Sequence, residues 1–506
     1  MYSPQFAEFE ALARRGNLIP VYREILADIE TPVSVLKKLR HKDHVYLLES
    51  VEGGEKWGRY SFIGADAGVV FKVRGPQVII HEKGRVTARE HQGDPLNAMR
   101  ELLGRYQPVA TPGLPRFFGG AVGYLGYDMV RYFENLPAAP PDDLNLDEAV
   151  LVVSDSLVIF DNIRHTIKVV ACAYTEDADT PEDAYRAACA KIDELIGLLA
   201  APAAAPAPGT PVNGVAFESN MTPDEYKAIV EAAKQYIAAG DVIQVVLSQR
   251  FSTPCPADPV DLYRALRYIN PSPYLFFLKL DEVTLIGSSP EVMVRLEQND
   301  VEVRPIAGTR KRGRTEQEDR ALADELLSDE KERAEHIMLV DLGRNDLGRI
   351  AETGTVQVNQ YMVVEKYSHV MHLVSNVRAR LAKGKDAFDV LAATFPAGTL
   401  SGAPKVRAMQ IIDELEPVRR GAYGGAVGYF SFSGNMDLCI TIRTLIIRNN
   451  RIFVQSGAGI VYDSQPESEQ IETQNKARGM QLAVQLAAGG FVLENGNEGA
   501  AHDIND

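Results

Sequence analysis

Apolar runs too short for a membrane span and too regular for loops recur along the first 175 residues. YLLES (46–50), EAVLVVSDSLVIF (148–160) and HTIKVVACAY (165–174) combine β-branched and aromatic residues between polar boundaries, and each predicts strand. The same pattern returns in DVIQVVLSQRF (241–251), YLFFLKL (274–280), VTLIGSS (283–289) and the opening of RTLIIRNNRIFVQSGAGIV (443–461), whose SGAGIV reads as a Gly-rich turn. Helical spacing interrupts it three times. In TPDEYKAIVEAAKQYIAAG, Thr222 is an N-cap, Pro223 takes the first helical position, Glu225 completes a capping box and Gly240 ends the helix. Tyr226, Ile229, Ala233 and Ile237 form its buried stripe. SDEKERAEHIMLVDLGRNDLGRI (328–350) predicts a second helix with Ser328 as N-cap, and ESEQIETQNKARGMQLAVQLAA a third. The order of elements is not a regular βαβ alternation. Long antiparallel sheets with helices outside, an α+β arrangement, fit it better.

LLAAPAAAPAPGTPVNG (198–214) cannot build a core and reads as an exposed linker. It separates an N-terminal lobe (1–197) from a second domain (215–488), with a frayed tail at 489–506. FGGAVGYLGYD (118–128) and YGGAVGYFSFS (423–433) share GGAVGY, an echo that suggests two lobes built on related strand entries where glycines let backbones approach closely.

Composition narrows the function more than the fold. The 506-residue chain carries a formal charge of −16, which argues against general nucleic-acid binding. VRPIAGTRKRG reads as an apolar lead and a tight Gly-Thr turn, and the cations bunched around and just beyond it (Arg304, Arg310, Lys311, Arg312, Arg314) should therefore meet a small anion or a local acidic partner. Four scattered cysteines without a CxxC read as reduced, cytosolic and free of structural zinc. The first residues lack the apolar core of a signal peptide, and no run approaches the roughly 18 apolar residues of a membrane span.

Candidate chemistry starts with two ExxE pairs. Glu332 and Glu335 share one helix face, and Glu469 and Glu472 repeat the spacing. Alone, such pairs read as solvated acidic faces. Context favours more, because Glu335 precedes an apolar run and Glu469 follows the Gly-rich SGAGIV, expected to be a turn. Two carboxylate pairs facing one cleft would suit Mg²⁺, a hard cation that keeps waters and could bridge to a substrate carboxylate. His369 and His372 differ by three residues on a predicted strand, face opposite ways and make a poor zinc pair; one of them can carry a proton. GTLSGAPK lacks P-loop spacing, GAGIVY lacks the third glycine of a dinucleotide fingerprint, and no G-x-S-x-G elbow occurs.

Six segments in order, YLLESVEGGEKWGRYSFIG, GSSPE, VRPIAGTR, EHIMLVDLGRNDLGRI, FPAGTLSGAPKVRAM and QSGAGIV, resemble the chorismate-utilising enzymes over roughly 17–485. The likeness is greatest to the large subunits of the anthranilate-forming branch. It implies a two-lobed, four-layer α/β/β/α sandwich and a Mg²⁺-dependent amination of chorismate at C2, with loss of the 4-hydroxyl and of pyruvate, opening tryptophan biosynthesis. Carried onto this chain, it implies Glu335 and Glu472 as metal ligands, with Glu332 and Glu469 as their close companions. Gly308, Thr309, Tyr423, Arg443 and the Gly457–Ala458–Gly459 segment would bind the substrate carboxylates. Glu291 would protonate the leaving hydroxyl, and His372, with Thr399 nearby, would remove the C2 proton. Ser50, Pro273, Tyr274 and Leu275 would line a tryptophan feedback pocket.

Two residues separate this chain from neighbouring branches. Synthases of 4-amino-4-deoxychorismate carry a lysine where this chain has Ala307, and isochorismate and salicylate synthases carry one where it has Gln244. Without either amine, ammonia is the expected nucleophile. No cysteine lies in a Gly-rich elbow, so a glutaminase is not expected within the chain. Ammonia would be free or delivered by a separate glutamine amidotransferase subunit, in a heterotetramer of two large and two small subunits. The alternatives are 4-amino-4-deoxychorismate synthesis and a catalytically inactive tryptophan-binding regulatory subunit; the failed glycine motifs disfavour a nucleotide-binding enzyme.

Overall fold

A computed structural model describes residues 1–50, 58–136, 139–202, 214–367 and 370–491. Two twelve-stranded sheets, antiparallel at every strand pairing described, face one another. The first runs from Leu18–Leu26 through Thr166–Tyr174, Ser156–Asp161, Tyr60–Ala65, His44–Glu49, Tyr274–Leu280, Val283–Ser289, Thr444–Arg448 and Arg451–Ile460 to Gln244–Pro254. The second runs from Ile306–Lys311 through Val370–Arg380, Asp300–Val303, Val292–Glu297, Met436–Ile440, Ala426–Ser431 and Gly120–Leu125 to Ala149–Ser154 and the hairpins beyond.

The central strands of both sheets read as near-continuous apolar runs because both of their faces are covered, whereas an edge strand such as Arg85–Glu90 is exposed and polar. Between the sheets lies a layer of Tyr46, Phe276, Leu285 and Ile446 from the first and Val122, Tyr124, Val152 and Val427 from the second. The outer face of the first sheet packs on helices that include Pro259–Ile269 and Pro466–Ala488. The outer face of the second packs on Pro95–Gly104, Glu330–Gly348 and Ala387–Thr394. This is the expected α/β/β/α sandwich.

Both sheets draw strands from before and after the Ala/Pro-rich linker, so its two flanks do not form separate sheets. Residues 198–200 of that segment close the Pro181–Ala200 helix rather than join the linker; residues 203–213, the tail from 492 and His369 lie outside the described residues. The GGAVGY echo also resolves differently from the two-lobe expectation. Its copies are neighbouring strands of one sheet, with Gly123 directly opposite Gly428. A Cβ at Gly123 would sit 2.0 Å from the Val150 carbonyl oxygen, and one at Gly428 2.0 Å from that of Asp437. The glycines thus permit close backbone approach, as read, but inside a single sheet.

Local signals place the helices well. Thr222 and Glu225 make the capping box, and Gly240 closes the helix in the left-handed region at φ 86°. Its stripe centres on Tyr226, Val230 and Ala233, with Ile229 and Ile237 half-buried. The next N-cap is corrected by one residue. Asp329, not Ser328, caps the Glu330–Gly348 helix, its Oδ1 accepting from the Lys331 and Glu332 amides. Ser328 ends the preceding helix, and its hydroxyl donates to the Glu325 carbonyl.

Candidate active site

Two Gly-rich stretches expected as turns are strand. Gly308 and Thr309 lie in Ile306–Lys311, where a bulge between Ala307 and Thr309 interrupts pairing with the His372 strand and Gly308 takes φ +67°. Gly457, Ala458 and Gly459 lie inside Arg451–Ile460, opposite Ser248, Leu247 and Val246.

The bulge brings Thr309 level with His372. Thr309 Oγ1 and the Gly308 carbonyl oxygen are each 3.1 Å from His372 Nδ1. With its proton on Nδ1 donated to the Gly308 carbonyl, the ring keeps a lone pair on Nε2. Burial lowers its pKa to about 4, the Gly308 bond opposing that shift and Arg443 reinforcing it, so the imidazole is a neutral base at physiological pH.

Glu291 lies just past the Val283–Ser289 strand, buried. Burial raises its pKa to about 8 against the opposing pull of the Thr399 hydroxyl and the Arg443 charge. It is a carboxylic acid that holds its proton at neutral pH. Thr399 Oγ1 itself is buried without a hydrogen bond of regular geometry among the described residues. Arg443, at φ +48°, acts on both Glu291 and His372 and so ties acid and base to one cleft.

The carboxylate pairs complete the other side. Glu332 and Glu335 occupy the opening turns of the Glu330–Gly348 helix, and Glu469 and Glu472 those of Pro466–Ala488. The helices belong to opposite outer layers, yet Lys331 of one acts electrostatically on Glu469 of the other. Burial and the Glu335 charge raise the Glu332 pKa, with Arg310 opposing. Burial raises that of Glu469 as well, opposed by a Ser464 hydrogen bond and reinforced by Glu472. Clustered carboxylates that repel one another form an oxygen-only donor set that a hard divalent cation would neutralise. Among the described residues no three His, Cys, Asp or Glu side chains converge as a complete metal cage. An oxygen-only donor set of this kind suits a hard divalent cation, to which Glu335 and Glu472 would each contribute a carboxylate.

Gln244 links this side to the strands. Its Nε2 donates to Glu335 Oε1 at 3.1 Å, its Oε1 is buried without a partner among the described residues, and a Cβ on Gly459 would lie 2.2 Å from Nε2. A Cβ on Gly457 would lie 2.9 Å from the Tyr423 hydroxyl, and one on Gly308 3.1 Å from Glu332 Oε2. Bare backbone thus faces the cleft where the substrate carboxylates were expected. Lys476, which the sequence analysis passed over, donates to Glu472 Oε1 at 2.6 Å and to the Gly457 carbonyl at 3.0 Å. Its signal was the i,i+4 spacing from Glu472 on the same helix. The neighbouring cations turn to acidic partners: Arg310 to Glu325, Asp329 and Glu332, Arg312 to Asp319, and Arg304 to Glu365.

Ser50, Pro273, Tyr274 and Leu275 meet elsewhere, lining one pocket. The Tyr274 hydroxyl donates to Asp437 Oδ1 at 2.7 Å, and Arg116 and Arg295 each approach Asp437 Oδ2 at 3.1 Å. Tyr60, Phe62 and Tyr429 add aromatic walls. Long-range pairing brought these last residues in, and no local pattern announced them.

A family model described as chorismate binding enzyme matches residues 46–482, and the chain belongs to that family. Among its relatives, "Anthranilate synthase component 1" of Aquifex aeolicus is 50% identical over 489 residues, 95% of this chain and 97% of that protein. Its counterpart in Pseudomonas putida is 51% identical over 489 residues, 95% and 98% of the two chains. The crystal structure of anthranilate synthase component I from Streptococcus pneumoniae superposes with a TM-score of 0.75 at 39% identity, covering 90% of this chain and 98% of that one. The menaquinone-specific isochorismate synthase of Escherichia coli gives 0.69 at 20% identity, over 95% and 100%, a likeness of fold alone. The resemblance drawn from six motifs is borne out, as is the layered α+β fold. Among the described residues no helix is long and apolar enough to cross a membrane.

Proposed function

We propose that this chain is an ammonia-using chorismate lyase that forms anthranilate and pyruvate, the large component of a two-component enzyme opening tryptophan biosynthesis. The observation that carries the reading is the pairing, in one cleft, of a buried acid that keeps its proton (Glu291) with a neutral imidazole (His372), while the two lysine positions of neighbouring branches hold Ala307 and Gln244. Ammonia bonds to C2 as the C4–O bond breaks, and Glu291 gives its proton to the departing hydroxyl, which leaves as water. The ammonium formed at C2 sheds its extra proton to solvent, His372 Nε2 takes the C2 proton, the C3–O bond breaks as the ring becomes aromatic, and the departing enolpyruvate takes a proton at its methylene carbon to become pyruvate. Gly308, Thr309, Tyr423, Arg443 and the Gly457–Gly459 strand orient the two substrate carboxylates, and the buried site keeps water from competing with ammonia. Glu335 and Glu472 would hold Mg²⁺, with Glu332 and Glu469 beside them; the ion, when bound, neutralises the ring carboxylate. Relatives numbered as component 1 support a second component, which we assign as the glutamine amidotransferase supplying ammonia.

Purified chain with chorismate, Mg²⁺ and ammonium should yield anthranilate, identified by fluorescence and mass, and one pyruvate per turnover. Glutamine in place of ammonium should yield none. Isochorismate, salicylate or 4-amino-4-deoxychorismate as the product would overturn the assignment.

A further inference from the structure

Behind the cleft lies a charged pair that the reaction scheme does not use. Arg420 is among the largest fully buried side chains, and Glu416, its partner, is buried too. Burying two charges is favourable only when every donor and acceptor finds a partner. Here they do. Arg420 Nε donates to Glu416 Oε2 at 2.8 Å and Nη2 to Oε1 at 2.6 Å. Nη1 also donates to the Leu400 carbonyl at 2.6 Å and Nη2 to that of Val246 at 2.7 Å. Glu416 Oε1 accepts from both the amide and the hydroxyl of Ser248, each at 2.8 Å.

What these partners share is their position. Leu400 follows Thr399, whose hydroxyl faces Glu291. Val246 stands two residues past Gln244. Ser248 is paired with Gly457 across the ladder. The guanidinium carbon lies 5.7 Å from the Tyr423 ring centre and 4.8 Å from that of Tyr127, over both faces. The ion pair therefore ties together the Thr399 turn, the Gln244 strand and Tyr423, and through Ser248 on that strand it reaches the ladder partner of Gly457.

We propose that Arg420, held by Glu416, is a positioning residue for chorismate amination, fixing Thr399, Gln244 and Tyr423 relative to one another from behind the cleft. It rests on the functional reading above. Arginine is required because a planar fork can serve two carboxylate oxygens and two carbonyls at once, whereas an ammonium concentrates three donors at one point.

The test is Arg420→Lys, which keeps the charge but not the fork. At saturating ammonium, kcat for anthranilate should fall at least about tenfold, with a melting temperature within a few degrees of wild type. Thr399 and Arg443 face Glu291; with Thr399 displaced, the alkaline limb of kcat/KM should move to higher pH, which a loss of folded protein alone would not produce. A wild-type chain that makes no anthranilate refutes the functional reading. An active wild type matched by Arg420→Lys in rate and pH profile refutes this one. If Arg420→Lys does not fold, Glu416→Gln carries the same readouts, and two variants that fail to fold assign the pair to stability alone and overturn the proposal.

Discussion

At the scale of single residues, Glu291 controls how the protein responds to pH. Its carboxyl, ordinarily near 4.5, is raised to about 8 by burial. Between those values the folded chain holds a proton that the unfolded chain has released. Stability from this group is thus complete below about pH 4.5 and lost as pH rises through about 8. Glu291→Gln removes that dependence, so its melting temperature relative to wild type should climb from pH 5 to pH 8; a difference that does not change with pH would contradict the buried, protonated acid. The same variant lacks the proton donor, and its turnover should drop about 10²- to 10⁴-fold. In wild type at constant free ammonia, kcat/KM should decline above about pH 8 as Glu291 ionises. His372 works in the opposite sense: it is held neutral down to about pH 4, so its protonation does not limit the rate near neutrality.

At the scale of elements, the glycines divide into those that admit a neighbouring backbone and those that admit a side chain. A methyl at Gly428 would meet the Asp437 carbonyl at 2.0 Å, an obstacle that cannot rotate away. Gly428→Ala should cost more than about 3 kcal/mol or prevent folding. The atoms nearest a methyl at Gly459 all belong to the Gln244 side chain, whose end can swing aside and break its bond to Glu335. Gly459→Ala should cost about 1 kcal/mol or less in a denaturant titration while sharply reducing turnover; wild-type kinetics in that variant would separate Gln244 from the chemistry. These glycines also explain what the sequence concealed. Clustered Gly ordinarily marks turns, and SGAGIV and PIAGT read as such, but sheet partners chosen hundreds of residues away made them strand. Helices and individual strands were legible because their periodicity is local. Ser328 and Asp329 are equally good caps one residue apart, and the end of the preceding helix decided between them. The ExxE pairs were legible as spacing. That two helices from opposite layers turn them toward one cleft, or that Arg420 is buried among the Thr399 turn, the Gln244 strand and Tyr423, is a property of the sheet order and could not be read from any window of residues.

At the scale of the whole molecule, sheets built from both ends of the chain place the second pocket within reach of the first site. Tyr274, which lines the pocket, pairs with Ser289, two residues before Glu291, and the Ser288 amide donates to the Arg443 carbonyl at 3.1 Å. On the opposite sheet Asp437 and Cys439 line the pocket, and the next amide, that of Ile440, donates to the Glu291 carbonyl at 3.1 Å. A ligand that shifts Tyr274 or Asp437 therefore acts on strands whose ends hold the acid and the arginine between acid and base. Tryptophan matches the pocket's aromatic walls and charged floor, and it should inhibit. Coupling of about 1–3 kcal/mol corresponds to a 5- to 150-fold change in affinity, and linkage requires it to be reciprocal. Calorimetric titration with tryptophan, with chorismate present and ammonia withheld, should show tryptophan binding weakened by the same factor by which tryptophan weakens chorismate binding. Tryptophan that binds with an affinity indifferent to chorismate would leave the pocket uncoupled from catalysis. Ser50→Phe should fill the pocket, abolish tryptophan binding and leave ammonia-dependent turnover within about twofold of wild type; equal inhibition of variant and wild type would place the effector elsewhere.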